Sequence, residues 1–185
     1  MNKRNNTRVL AECALMIALS TVLSEVKIDL PMGGGVTVFS MVPIAIAACR
    51  HGTRWGMLTA FAYSVLQMFM GLSNVLYCKT LFTQILCILL DYIVAYSVLG
   101  LTHAFSKPFG ERPAAYATGV SIAVFIRFIC SFLSGILLWG EYAPADVPVW
   151  LYSLTYNGGY MLPELIITAF GVFAVQKYLL AADTQ

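Results

Sequence analysis

Apolar residues fill this chain in long blocks, and short groups of polar and basic residues separate them. A helix needs roughly 20 mostly apolar residues to cross a bilayer core. Blocks near 8–26, 37–50, 54–72, 80–104, 115–138 and 160–180 therefore predict six membrane helices, an all-α integral membrane fold in one domain over residues 1–185. The second block is the shortest. The first begins after Lys3, Arg4 and Arg8 and has no small-residue cleavage site before polar sequence, so it reads as a retained helix, not a signal peptide.

The last part of the chain predicts an interruption. Residues 147–180 as one helix would be about 50 Å long against a bilayer core near 30 Å. Asn157-Gly158-Gly159 lies where a break would shorten it. The expected arrangement is a short outer helix, a turn, and a sixth helix with Pro163 in its first turn and Glu164 beside its positive end. A bare kink is the plainer alternative.

Composition agrees with the pattern: 59% hydrophobic, 11% charged, and a mean hydropathy of +0.79, which leaves no polar surface for a soluble domain. Basic residues then orient the bundle. With the N-terminus inside, Lys3, Arg4, Arg8, Arg50, Arg54, Lys107, Arg112 and Lys177 fall on the cytoplasmic side, against Lys27 and Lys79 outside. Both termini are expected in the cytoplasm, and the loops at Pro31–Gly35, Ser73–Lys79 and Trp139–Tyr156 outside. The small net charge of +2 lacks the basic and aromatic interleaving of a nucleic-acid surface, so no nucleic-acid partner is expected.

Catalytic chemistry finds little support. Cys13, Cys49, Cys78, Cys87 and Cys130 are scattered singly without metal or redox spacing, and read as small apolar fillers. His51 and His103 stand apart from each other and from any carboxylate cluster. Gly33-Gly34-Gly35 lacks the Lys-Ser/Thr of a phosphate loop. We expect no enzyme activity, no metal and no cofactor, and any ATP-driven step must come from another chain.

Binding chemistry concentrates between Arg127 and Glu164, where polar-tipped rings crowd WGEYAPADVPVWLYSLTYNGGYMLPE. Ionisable residues inside spans are functional by default, and Asp91, Arg127 and Glu164 lie within the fourth, fifth and sixth blocks. Asp91 and Arg127 sit at matching depths, roughly 16–18 Å from the outer ends. They could form a structural ion pair. With Glu164 added, two acids face one base, and an organic cation would complete the count. Tyr92, Trp139, Trp150 and Tyr152 could offer ring faces to such a cation, although rings also collect at membrane interfaces whatever the function. In the first block, Ala14 and Ala18 share one helix face, which suits close helix packing; Glu12 is near enough to the cytoplasmic edge to snorkel.

These features resemble the thiamine-specific substrate-binding (S) component of energy-coupling factor (ECF) transporters, the ThiT/YuaJ family. The resemblance rests on Ala14-x-x-x-Ala18, on LLDYIVAYSVLGL from Leu89, and on the series RF…SG…W…YAP…YS…YN…YMLPE from Arg127. It implies a multi-pass protein of the prokaryotic cell membrane that captures thiamine outside and docks through Ala14 and Ala18 on a transmembrane coupling protein served by two ABC-type ATPases. It further implies that Asp91 and Tyr92 meet the thiazolium, that Trp139 stacks, and that Tyr152 and Asn157 contact the aminopyrimidine. Ser131, Arg127 and Glu164 complete the expected ligand set. Three positions depart from the family pattern: Asp91 replaces a common Glu, Ser131 a common His, and no Trp occurs among Pro31–Ser40. Alternatives are an S component for another vitamin or a pyrimidine precursor, and a stand-alone proton-coupled transporter using Asp91 and Glu164 as a relay.

Overall fold

The computed structural model describes residues 3–30 and 34–182, so part of the loop expected at Pro31–Gly35 lies outside the described residues. Helix α1 (Lys3–Glu25) leads into a small antiparallel hairpin, β1 (Lys27–Asp29) and β2 (Gly35–Thr37), with Lys27 opposite Thr37. Then follow α2 (Val42–Met70), the short α3 (Leu72–Tyr77), α4 (Leu81–Phe109), α5 (Pro113–Leu137) and α6 (Val149–Ala182).

Four of these have spanning length and apolarity: Asn6–Glu25, Leu81–Phe109, Pro113–Leu137 and Val149–Ala182. The expected blocks 37–50 and 54–72 are the two halves of α2, joined at Gly52, whose φ of 80° is open to glycine at little steric cost. The bend is sharp. A straight helix would hold Gly56 about 12 Å along the axis from Ala48, yet a Cβ on Gly56 would lie 2.5 Å from the Ala48 Cβ. Every residue from Val42 to Cys49 is buried, so the first half of α2 is the centre of the bundle. Around it pack Tyr63 from the second half of α2 and Leu99, Val120, Val124 and Val172 from the other helices.

Outward-facing positions are large and apolar, among them Phe61, Phe69, Phe82, Phe125, Ile166 and Phe170. A surface of that kind suits lipid. All five cysteines are buried and unpaired, as fillers should be. On α1, Ala14 and Ala18 face away from the bundle together with Leu10, Leu15, Leu19 and Val22. Glu12 ties the inner side of α1 to α2 through His51 (3.0 Å) and Arg50 (3.6 Å) and also meets Arg8 (3.1 Å).

The expected break at Asn157-Gly158-Gly159 is absent. Val149–Ala182 is one helix with Pro163 in its interior, about 51 Å long by its rise. Two contacts explain its continuity. The Asn157 amide donates to the Ser153 carbonyl at 2.9 Å, reinforcing the turn that precedes the glycines. Gly135 of α5 also lets the two helices approach so closely that a Cβ there would collide with Ser153 Oγ. One backbone bond lost at Pro163 does not break a membrane helix supported by its neighbours.

Candidate functional site

A cavity of about 420 Å³ opens where α3, α4, α5 and α6 meet. Asp91, Tyr92, Arg127, Ser131, Trp139, Tyr152 and Asn157 all line it. Seven of the eight expected ligand residues, spread over 67 positions of sequence, thus share one wall. Glu164 lines an adjoining cavity. Trp150 stands outside, 54% exposed, and keeps only the interfacial role open to it.

Asp91 is held by the backbone as well as by partners. It lies in Ile88–Ile93, a π-helical stretch set within α4, a wide turn that recurs at functional sites. Its Oδ2 accepts from Ser134 Oγ (2.7 Å), Trp139 Nε1 (3.3 Å) and Cys87 Sγ (3.5 Å). All three donors reach the same oxygen. Among the described residues Oδ1 receives no hydrogen bond and Asp91 joins no ion pair. The next residue, Tyr92, spends its hydroxyl on structure: it donates to the Gly71 carbonyl (2.9 Å) and accepts from the Asn74 amide (3.2 Å).

Arg127 does not pair with Asp91, the structural alternative left open by depth alone. Its Nη1 donates to Glu164 Oε2 at 2.8 Å and its Nη2 to the Tyr96 hydroxyl at 2.9 Å. The guanidinium carbon also lies 4.3 Å from the Tyr96 ring centroid. The other oxygen of Glu164 accepts from the backbone N–H (3.0 Å) and hydroxyl (2.6 Å) of Thr37. Glu164 is therefore occupied, clamping the hairpin to α6 and neutralising Arg127. The charge count resolves simply. Arg127 and Glu164 cancel, and Asp91 remains as one negative charge against the cavity.

Rings complete the wall. Tyr152, Tyr156, Tyr160 and Glu164 recur every four residues, so they form one stripe of α6. Tyr152 and Tyr156 are 5.9 Å apart, and Tyr156 and Tyr160 are 6.0 Å apart. The Tyr160 hydroxyl donates to Asn157 Oδ1 at 2.9 Å, which fixes the amide. Trp139 tilts against Tyr142 at 6.1 Å. At the rim, Lys79 meets Glu141 at 2.6 Å. That hydrogen bond, with the attraction of the carboxylate, raises the Lys79 pKa, but an exposed pair of this kind contributes little stability.

Asn74, Tyr96, Gly135 and Ser153 also line the cavity and were missing from the expected set. Tyr96 was available from its position one turn after Tyr92, and Gly135 and Ser153 from the SG and YS pairs. Asn74 carried no signal, being a polar residue in a connection.

The chain matches the family model described as "Thiamine transporter protein (Thia_YuaJ)" over residues 10–182. It is 33% identical over 182 residues to "Thiamine transporter ThiT" of Bacillus subtilis strain 168, covering 91% of this chain and 90% of that one. It is 26% identical over 180 residues to the protein of the same name from Lacticaseibacillus paracasei, covering 91% and 86%. A solved structure described as ThiT from Listeria monocytogenes superposes with a TM-score of 0.72 at 23% identity and covers 96% of each chain, a likeness of fold. With its apolar helices and a family match over nearly its whole length, this chain belongs to the thiamine transporter (Thia_YuaJ) family of membrane proteins.

Proposed function

We propose that the chain is the thiamine-binding S component of an ECF importer, a non-enzymatic single-domain subunit of the prokaryotic cell membrane. In this reading six helical passes place both termini in the cytoplasm, and the cavity opens outside. The eight-to-two bias of basic residues supports that orientation. A coupling protein and two ABC-type ATPases would drive release inward, since the chain has no phosphate loop of its own.

One observation carries the ligand assignment: Asp91 presents an unpaired negative charge in a ring-lined cavity while the other two buried charges cancel. Thiamine offers the complement. Its thiazolium is a fixed cation, stabilised by the Asp91 carboxylate and by ring faces at Trp139 and Tyr92. Its aminopyrimidine carries donor and acceptor edges that suit the Asn157 amide and the Tyr152 hydroxyl, with Ser131 between. Arg127 and Glu164 enter as wall and clamp rather than as direct partners. The cavity of about 420 Å³ falls in the size range of small-molecule sites.

Titration of the purified protein with thiamine, followed by tryptophan fluorescence, tests the assignment. Saturable quenching is expected, with much weaker binding of uncharged hydroxymethylpyrimidine. Absence of saturation at about 1 mM thiamine, weaker than about 4 kcal/mol of binding, would sink it. Uptake that persists in vesicles lacking the coupling protein and ATPases would instead favour a stand-alone transporter.

A further inference from the structure

Of the four helices long and apolar enough to span, α1 is the least buried in the bundle. Its inner seam is Cys13, Met16, Ile17 and Ser20, a spacing that lays one face against the core. Cys13 and Ser20 are small, and the buried Ser20 hydroxyl has no hydrogen-bond partner among the described residues. Lipid is as apolar as the flanks of this helix, so burial alone fixes its rotation only weakly.

Polar ties to α2 occur near both ends. Toward the hairpin, Ser24 meets the Tyr63 hydroxyl, and the Tyr63 ring lies edge-on to Tyr96, 5.4 Å away in the cavity wall. Toward the N-terminus, Glu12 reaches Arg50 and His51, which directly follow the buried run Val42–Cys49 and precede the bend at Gly52. That tie holds α1 to the segment at the centre of the bundle. Oε2 of Glu12 lies 3.0 Å from His51 Nε2 and 3.6 Å from Arg50 Nη2, yet it is buried and accepts no hydrogen bond among the described residues. Charge, not hydrogen-bond geometry, makes this tie. The other oxygen accepts from Arg8 Nε at 3.1 Å, one turn back on α1 itself, a bond that cannot orient α1 against α2.

At about 100° of turn per residue, Ala14 and Ala18 lie roughly opposite Glu12, and both are exposed. We infer that Glu12 is a positioning residue for a docking surface: its attraction to Arg50 and His51 holds α1 with Ala14 and Ala18 turned outward, where small side chains admit a partner helix closely. The inference rests on the importer reading above, in which that partner is the coupling protein. Glu12, Arg50 and His51 line neither the ligand cavity nor the one adjoining it, so losing the tie should impair docking and spare capture.

Thiamine titration in detergent and co-purification with the coupling protein and ATPases, measured side by side on the full chain, test this. Glu12→Gln keeps the shape of the side chain and removes its charge. It should bind thiamine within about twofold of wild type and co-purify roughly threefold less, as the loss of a partly exposed ion pair allows. Arg50→Glu sets two acids against each other and should dock less well still. Glu12→Lys combined with Arg50→Glu should recover part of that loss, a rescue that a steric role would not give. Arg8→Gln should dock as wild type does, since the bond it removes lies within α1. Unchanged docking of Glu12→Gln, no recovery in the exchanged pair, or an equal loss in Arg8→Gln would each overturn the positioning role, as would lost thiamine binding in Glu12→Gln. Wild type that bound thiamine without co-purifying with the coupling protein would overturn the importer reading first and the inference with it.

Discussion

Asp91 concentrates the chemistry of the site in one side chain, and its partners divide its two oxygens. Ser134, Trp139 and Cys87 all donate to Oδ2, which leaves Oδ1 for a ligand and fixes the carboxylate plane. Asp91→Asn keeps the shape, removes the charge and replaces an acceptor with a donor. A hydrogen bond to a charged group contributes about 1.5–3 kcal/mol, so thiamine affinity should fall on the order of ten- to a hundredfold. Ser134→Ala should cost less, a loss of several-fold, because two donors still hold the carboxylate. Calorimetric titration checks both, and unchanged affinity in folded Asp91→Asn would remove Asp91 from the site. Trp139 lines the cavity and donates its N–H to Asp91, and its ring face is proposed to meet the thiazolium. Trp139→Phe should therefore bind thiamine more weakly than wild type but more tightly than Trp139→Ala, and equal affinities for Phe and Ala would argue that the face is unused.

At the scale of elements, the α5–α6 contact sets the floor of the cavity. A Cβ on Gly135 would strike Ser153 Oγ and come within 3.0 Å of Asn157 Nδ2, whereas one on Gly158 meets nothing within 4 Å. Gly135→Ala should thus destabilise the protein by about 1–3 kcal/mol through overpacking and weaken thiamine binding. Gly158→Ala should be neutral or stabilising by up to about 1 kcal/mol, since glycine is costly inside a helix. Thermal unfolding in detergent separates them, and a destabilised Gly158→Ala would restore the break that the sequence predicts at this point. That expectation failed for a physical reason. Length and glycine content describe a helix alone, and continuity of α6 depends on its packing against α5. Apolar helices were legible because apolar blocks depend only on the chain itself, and four of the six blocks fall in helices of spanning length among the described residues. The hairpin was not, its strands being three residues each. Depth along helices brought Asp91, Arg127 and Glu164 to one region, but rotation about the axes decides partners, and so Arg127 chose Glu164. The π-helical stretch around Asp91 left no trace in residue type.

Across the whole molecule, the capture and docking surfaces proposed above lie apart. The cavity lies among α3 to α6, while Ala14 and Ala18 sit on the far face of α1, exposed beside Leu10, Leu15, Leu19 and Val22. Glu12 fastens the opposite side of the same helix to α2. Small residues matter between helices in lipid because close backbone approach, and not water exclusion, supplies the attraction. Tryptophan at both alanines would hold a partner helix away and leave α1 itself anchored. The double variant Ala14→Trp, Ala18→Trp should therefore bind thiamine in detergent within about twofold of wild type, a difference below 0.5 kcal/mol. Co-purification with the coupling protein, and uptake driven by the ATPases, should both fall sharply. Full uptake by the double variant would show that the partner docks elsewhere, and lost thiamine binding would mean that this face of α1 supports the cavity after all.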